Sequence, residues 1–347
     1  MTKRAFITGI TGQDAAYLAE LLLEKGYEVY GAYRRSASVN LWRLHELGLD
    51  GKVQLIPMDL LELTNIMRTI QKVQPDEIYN LAAQSFVGVS FDQLIYTTNV
   101  NAVGVAYLLE SVRTLRPEAR IYQASTSEMF GKAREVPQNE RTPFHPRSPY
   151  AVAKLYGHWI TVNYREAHGM HASSGILFNH ESPLRGREFV TRKITASLAK
   201  IKHNQQEVLE LGNLEAKRDW GYAGDYVQGM WLMLQQREPD DYVLATGESH
   251  SVREFVEKAA ECLGFQIEWE GEGVDTRGID RNSGKVIVRV NPAFYRPAEV
   301  DYLLGDASKA KERLGWEPTV HFDALVEMMA RADNDRAARG ELQSLNF

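Results

Sequence analysis

Cysteine is nearly missing from this sequence. One residue, Cys262, occurs in 347, which excludes internal disulfides and any multi-cysteine zinc or iron–sulfur site, and no other residue set is read as a metal site. No apolar run approaches the roughly 20 residues of a membrane-spanning helix. The opening MTKRAFITGITG reaches a glycine turn before a signal-peptide apolar region can develop. An excess of positive charge is also lacking: 40 Lys and Arg face 46 Asp and Glu, a net charge of −6, which argues against nucleic-acid binding by bulk charge. These absences point to a cytoplasmic, reducing setting with no membrane or nucleic-acid partner. What is present is ordinary for a folded chain. Hydrophobic residues make up 44% and charged residues 25%, values that exclude wholesale disorder, and the length suits two domains or one large α/β unit with a lobe.

The first half alternates short β-rich runs with longer helical patterns. Strands are predicted over 4–9, Glu28–Arg34, Val53–Leu60, Glu77–Ala83 and Arg120–Ser125, with helices near Ala15–Lys25 and Thr98–Arg113. That alternation predicts an α/β fold: a Rossmann-type parallel sheet with helices on both faces. Beyond about residue 180 the rhythm loosens. Helices are expected over Val190–His203 and Asp225–Gln236, with a short strand at 207–211 between them. Ser251 and Glu254 fit a capping box before a helix Val252–Cys262, and residues 268–285, rich in Gly, Asp, Glu and Arg, read as an exposed loop. The division expected is residues 1–180 for a cofactor-binding domain that also carries the catalytic groups, and 181–347 for a smaller C-terminal substrate lobe, with chain exchange between them. A ligand cleft then falls at the C-terminal ends of the strands.

Gly9-Ile10-Thr11-Gly12-Gln13-Asp14-Ala15 lies where the first strand meets the first helix. Such a turn lets backbone amides approach a pyrophosphate, and the helix N-terminus favours negative charge. A tight turn without ligand is the plainer reading of a Gly-Gly-Ala trio alone; its place at the first strand–helix junction favours the phosphate loop. The end of the second strand selects the dinucleotide. NAD enzymes usually carry an acidic residue there for the ribose 2′-hydroxyl, whereas this chain has Arg34-Arg35-Ser36. Two guanidinium groups and a hydroxyl suit a 2′-phosphate, so NADP is the expected cofactor.

Tyr150 and Lys154 stand four residues apart, on one face of a helix. A free phenol titrates near ~10, and a neighbouring ammonium is expected to lower that value so that Tyr150 can accept a proton from a hydroxyl. Thr126, at the end of the strand Arg120–Ser125, is placed to hydrogen-bond the same hydroxyl. Glu128 adds a carboxylate that simple dehydrogenation does not need. It suits removal of a proton alpha to a carbonyl and its return to a leaving hydroxyl. Each of these alone reads as a helix surface or a solvated loop; together they point to oxidation, elimination and reduction in one pocket.

At these residues the chain resembles the extended short-chain dehydrogenase/reductase superfamily and, within it, the GDP-mannose 4,6-dehydratase family. The resemblance spans essentially the whole sequence: GITGQD at 9–14, RRS at 34–36, YNLAAQS at 79–85, STSEMFG at 125–131, PRSPY-x3-K at 146–154, FNHESPLRG at 178–186, RDWG at 218–221 and RPAEVD at 296–301. Ala15 replaces a usual glycine, and Asn291 stands where aspartate is expected. The resemblance implies that Tyr150, with Lys154 and Thr126, deprotonates the mannose 4-hydroxyl during C4 oxidation. It also implies that Glu128 removes the C5 proton and delivers a proton to the departing 6-hydroxyl, before C6 is reduced with bound NADP. It further implies cofactor contacts from Gly9 through Asp14, Arg35, Asp59, Leu60, Leu81, Ala82, Ala83, Gln84, Ser85, Tyr96, Lys154, His180 and Arg185. The implied GDP-sugar contacts are Ser85, Asn179, Lys193, Arg218, Arg296 and Glu299. A homotetramer, a dimer of dimers, is implied as well, with Arg35 and Trp42 at or near the contact between dimers, although Trp42 packing beneath its own loop is an equal alternative. An epimerase of the same superfamily shares the tyrosine and lysine but needs no base for elimination. A non-catalytic cofactor sensor has no need to keep all four catalytic positions filled.

Overall fold

The structure, a computed structural model, describes residues 2–294 and 302–344. Its centre is a seven-stranded, wholly parallel sheet. In chain order the first six strands are β1 (Arg4–Thr8), β2 (Glu28–Tyr33), β3 (Gln54–Pro57), β4 (Glu77–Asn80), β5 (Arg120–Thr126) and β6 (Ala172–Leu177). They lie in the order β3-β2-β1-β4-β5-β6, and the strand Asp241–Leu244 closes the edge beside β6. The order reverses between β1 and β4, and that switch point is where an open α/β sheet binds its ligand.

Both faces of the sheet are covered, and β1, β4, β5 and β6 are buried along most of their length. On one face the helix α1 (Gln13–Glu24) and the helix Ala223–Gln235 pack with Leu18, Leu22, Met230 and Trp316. On the other, Leu63–Val73 and Gly104–Leu115 bury Ile66, Ile70, Leu108 and Val112. The α/β parallel-sheet expectation is met, with strand ends moved by at most three residues. β4 stops at Asn80 because the Thr8 hydroxyl, rather than a neighbouring strand, accepts the amides of Leu81 (3.1 Å) and Ala82 (3.0 Å).

A second core lies beyond the sheet. The helices Val190–Lys202, Val252–Leu263 and Phe322–Ala338 pack around Trp220, Phe255, Phe322 and Met329. The helix Val252–Leu263 starts with the expected capping box, Ser251 N donating to Glu254 Oε2 and Glu254 N donating to Ser251 Oγ at 3.1 Å. The expectation of an exposed loop over 268–285 fails. Ile267–Glu270, Arg277–Asp280 and Val286–Val290 form antiparallel pairs, and Val286–Val290 runs parallel to Leu209–Leu211. The reason is local. Ile267 and Trp269 alternate with Glu268 and Glu270, a strand period that the charged composition hid. Asp280 is buried and its carboxylate accepts from Ser283 Oγ at 2.7 Å and Gln266 N at 3.0 Å, acting as a turn rather than a solvated charge. No helix among the described residues is long and apolar enough to cross a membrane.

Candidate active site

The phosphate-binding turn forms as its residues demand. Gly9 has φ +72°, and a Cβ there would stand 2.8 Å from Ala82 Cα, so backbone meets backbone at the switch point. Gly12 begins α1 without a side-chain cap, leaving the first-turn amides unclaimed by any side chain of the cap. A cavity of about 420 Å³ opens onto this turn, lined by Gly9, Thr11, Gly12, Gln13 and Asp14. Arg34, Asp59, Leu60 and Tyr96 form its far wall, and Leu81, Ala82, Ala83, Ser85 and Arg185 complete it. The tight turn, the open helix start and the arginines fit a dinucleotide's pyrophosphate and phosphate.

Not every expected cofactor residue reaches this cavity. Ile10 is fully buried in the core. Arg35 and Ser36 are exposed and lie off the cavity wall, Ser36 Oγ donating to Ser38 O at 2.6 Å. Gln84 serves the loop instead: Asn101 Oδ1 accepts from its amide and Asn101 Nδ2 donates to its carbonyl, both at 2.8 Å. Asn101 sits in a π-helical turn, Asn99–Val103, between Leu94–Thr98 and Gly104–Leu115, the type of irregularity that collects at functional sites. His180 lies behind the cavity, stacked on Tyr226 and paired with Asp14 at 2.8 Å. Burial alone would raise the Asp14 carboxyl, but the His180 charge and hydrogen bond, with Gln13, hold it at about 2. Burial likewise disfavours the His180 cation, and Asp14 outweighs it, raising His180 above its ordinary value.

Several cavity residues escaped sequence reading, Arg43, Glu188 and Phe189 among them. Arg43 lines the wall, donating from Nη1 to Thr11 O at 2.8 Å and from Nε to Leu184 O at 2.7 Å. Burial draws its guanidinium down to about 10. Its neighbour Trp42 packs against its own chain, with the guanidinium groups of Arg192 and Arg336 each 5.6 Å from its ring centre.

The helix Pro149–His168 is set by Ser148, whose hydroxyl accepts from Ala151 N at 3.1 Å, and by Pro149 in its first turn. Tyr150, Lys154 and His158, one turn apart, are buried on its β5 side. Lys154 Nζ donates to Ala124 O at 3.0 Å, and His158 Nδ1 meets Ser125 Oγ at 3.2 Å. A polar chain continues beneath the site: Gln123 Nε2 donates to Ala124 O, Asn80 Nδ2 to Gln123 Oε1 and Thr8 Oγ1 to Asn80 Oδ1. It ties Lys154 to the turn at Gly9. Thr126 caps the short turn Ser127–Met129, accepting from Glu128 N at 3.2 Å.

The electrostatics of this set differ from the sequence expectation. Burial pushes the Tyr150 phenol up rather than down; the Thr126 hydrogen bond opposes this, Glu128 adds to it and Arg185 works against it. Lys154 gives Tyr150 little help because its ammonium points at Ala124 O, 5.9 Å from the centre of the phenol ring. Burial lowers Lys154 itself to about 8. In the chain alone, Tyr150 is therefore held as the neutral phenol, able to donate or share a proton but not yet a base.

A second cavity, about 220 Å³, adjoins the first through Arg185, Glu188 and Phe189, which line both. Glu128, Asn179, Lys193 and Arg218 lie in its wall, together with Trp220 and Phe294. Asn179 is placed by the strand Asn179–Glu181, paired in parallel with Trp220–Tyr222. Lys193 Nζ stands 3.6 Å from the Phe294 ring centre, and burial lowers its pKa despite Glu210. Asn291 donates from Nδ2 to Glu210 Oε2 at 3.3 Å. Arg296 and Glu299 lie outside the described residues. Cationic side chains, aromatic rings and the carboxylates of Glu128, Glu181 and Glu188 suit a phosphorylated, polyhydroxyl ligand, and Glu128 lies just beyond the buried Thr126 in the chain.

Comparison with known proteins agrees with this geometry. The family described as GDP-mannose 4,6 dehydratase matches residues 6–329. The chain is 56% identical to GDP-mannose 4,6-dehydratase of Sinorhizobium fredii, over 95% of this chain and 96% of that protein. It is 55% identical to the human GDP-mannose 4,6 dehydratase, over 95% and 91%. Among solved structures, a Streptomyces venezuelae dTDP-glucose 4,6-dehydratase with NAD and TYD bound superposes at TM-score 0.81 with 21% identity, covering 97% of this chain and 98% of that one. At that identity the likeness speaks for the fold. By sequence match along nearly its whole length, the chain belongs to the GDP-mannose 4,6-dehydratase family.

Proposed function

We propose that this enzyme converts GDP-mannose to GDP-4-keto-6-deoxymannose with a bound NADP. The observation that carries the reading is Glu128: a carboxylate in the wall of the second cavity, hydrogen-bonded through its backbone to the Thr126 that also meets Tyr150. A nicotinamide bound in the first cavity would supply reversible hydride acceptance, from C4 and back to C6, so that the reaction would have no net redox change. Thr126 hydrogen-bonds the 4-hydroxyl, and Tyr150 takes its proton as the phenolate, which the positive charge of a bound oxidised nicotinamide, with Lys154, would favour against the burial that otherwise keeps the phenol neutral. The ketone at C4 then acidifies the C5 proton, which Glu128 removes and delivers to the departing 6-hydroxyl as water leaves. The proton released from O4 balances the one required at C5, and only water is lost. Lys193 and Arg218 face the GDP diphosphate, with Arg296 and Glu299 assigned to the same ligand by resemblance.

NADP rather than NAD is supported by the absence of a carboxylate at the end of β2 and by Arg34 in the cavity wall. We assign cofactor binding and the catalytic groups to residues 1–180, and the sugar nucleotide mainly to 181–347, with the strand Asp241–Leu244 returning to the sheet. We further propose a cytoplasmic homotetramer. Val152, Tyr156 and Trp159 are exposed along one face of the catalytic helix, a surface suited to a second copy, and the exposed run from Arg35 to Val39 is left for contact between dimers. Sedimentation of the wild-type protein as a monomer would contradict the assembly. The test of function is incubation of the purified protein with GDP-mannose and identification of the nucleotide sugar formed. Recovery of an epimerised hexose, or of unchanged GDP-mannose, would reject the reading.

A further inference from the structure

Three consecutive carbonyls in one short segment each accept a hydrogen bond from a different arginine. Arg336 Nη1 donates to Pro183 O at 2.9 Å, Arg43 Nε to Leu184 O at 2.7 Å and Arg192 Nη1 to Arg185 O at 2.7 Å. Ser182 braces the segment from within, donating from its hydroxyl to Gln13 Oε1 at 2.7 Å and accepting from Leu184 N at 2.9 Å. So many guanidinium groups on one turn of chain require buried negative charge behind them. Asp333, fully buried on the helix Phe322–Ala338, supplies it. Its carboxylate accepts from Arg192 Nε (2.9 and 2.7 Å), Arg336 Nη1 (3.1 Å) and Thr195 Oγ1 (2.7 Å). Arg336 reaches on to Glu46 at 3.1 Å, and both arginines flank Trp42.

None of Asp333, Arg192 and Arg336 lines either cavity. A buried ion network of this kind contributes little net stability compared with well-packed apolar residues, and its best use is to fix one geometry. What that geometry serves is visible at the end of the segment. Arg185 is one of the three residues shared by the walls of both cavities, and its side chain is set by Glu181 at 3.0 Å and by the Phe189 ring.

We propose that Asp333 is a positioning residue for the reaction. It holds Arg192 and Arg336 so that they fix the 183–185 backbone and aim Arg185 between the dinucleotide and the sugar nucleotide. The proposal rests on the reading of the two cavities given above. It makes the helix Phe322–Ala338, which lines neither cavity, a determinant of ligand affinity.

The test is a double-mutant cycle on NADP affinity, measured by calorimetry, alongside the KM for GDP-mannose. Arg336→Lys keeps the charge that neutralises Asp333 but cannot hold Pro183, Asp333 and Glu46 together. Losing charged hydrogen bonds to a phosphate costs Arg185→Ala at least about tenfold in NADP affinity. Arg336→Lys, and Asp333→Asn where it folds, should weaken NADP by about three- to tenfold with melting still well above the assay temperature. In the Arg185→Ala background Arg336→Lys should add less than about twofold, because it acts through the same side chain. Full additivity in the double variant, or a lowered melting temperature with unchanged affinity and KM, would overturn the positioning role while leaving the cavity reading intact. Unchanged affinity for both ligands in Arg185→Ala would overturn the cavity reading, and the positioning role with it.

Discussion

The two cavities meet at Arg185, Glu188 and Phe189, yet they are built on different principles. The first is made chiefly of backbone. Its turn depends on a glycine at φ +72°, on an uncapped helix start and on the Thr8 hydroxyl that draws the 81–82 loop against Gly9. The second is made of side chains brought from separate segments: Glu128 after β5, Asn179 after β6, Lys193 on a helix and Arg218 on a two-residue strand. A backbone site is hard to alter without losing it, since each amide is fixed by the chain path. A side-chain site is altered one contact at a time. The dinucleotide end of such a fold is thereby held constant, while the substrate end is free to specialise.

The sharpest way to break this contrast is Gly9→Val. It forces a β-branched residue into a left-handed conformation and against Ala82 Cα, at a combined cost of about 4 kcal/mol, or roughly a thousandfold in cofactor affinity. Calorimetry with NADP checks it, and a loss under about tenfold would mean that the turn is not the phosphate site.

Lys154→Met probes the buried catalytic helix through stability. The ammonium is half-protonated at about pH 8 in the folded chain, and at about 10.5 when unfolded. Between these values the unfolded chain binds more protons, so wild-type stability rises with pH across that window. Burial of the charge thus costs the wild type on the order of 3 kcal/mol below pH 8, and the cost fades as pH approaches 10.5. The variant, with no such charge, should abolish turnover yet gain most in stability over wild type near pH 7. Denaturant titrations at pH 7 and pH 10 measure the difference, and an advantage that does not shrink at the higher pH would refute the linkage.

Lys193→Ala sharpens the comparison from the other side. Removing one charged contact to a diphosphate should raise the KM for GDP-mannose by about 10- to 150-fold, the equivalent of 1.5–3 kcal/mol, with NADP affinity within about twofold of wild type. Equal losses for both ligands would show that the two cavities are not separable. The smallest effect is expected for Arg34→Ala, about tenfold on NADP and under about twofold on NAD. Equal losses for the two dinucleotides would remove Arg34 from the 2′-phosphate.

The same difference explains what was legible in the sequence. The parallel sheet and the turn at Gly9 are local patterns, a strand followed within four residues by a helix, and both were readable. Tyr150 and Lys154 were readable because helical spacing places them on one face. Arg43 was not, because its contacts, Thr11 O and Leu184 O, lie 32 and 141 residues away along the chain. Asn101 was hidden in a helix whose π turn leaves no mark in its apolar spacing. The strands within 267–290 were missed because Asp, Glu and Arg outweighed the alternation of Ile267 and Trp269. The direction of the Tyr150 shift was misjudged because spacing shows that a lysine is near but not that both groups are buried and that the ammonium is turned toward Ala124 O.

The central claim is that Glu128, beside the Thr126–Tyr150 pair, performs the elimination and not the oxidation. Glu128→Gln keeps the size and hydrogen-bonding capacity of the side chain but removes the base, so dehydration should fall by about 10²- to 10⁴-fold. GDP-mannose and NADP should still bind, and mixing them with the variant in single turnover should leave reduced nicotinamide on the protein without release of the 6-deoxy product. Dehydration by Glu128→Gln at near the wild-type rate would contradict the account.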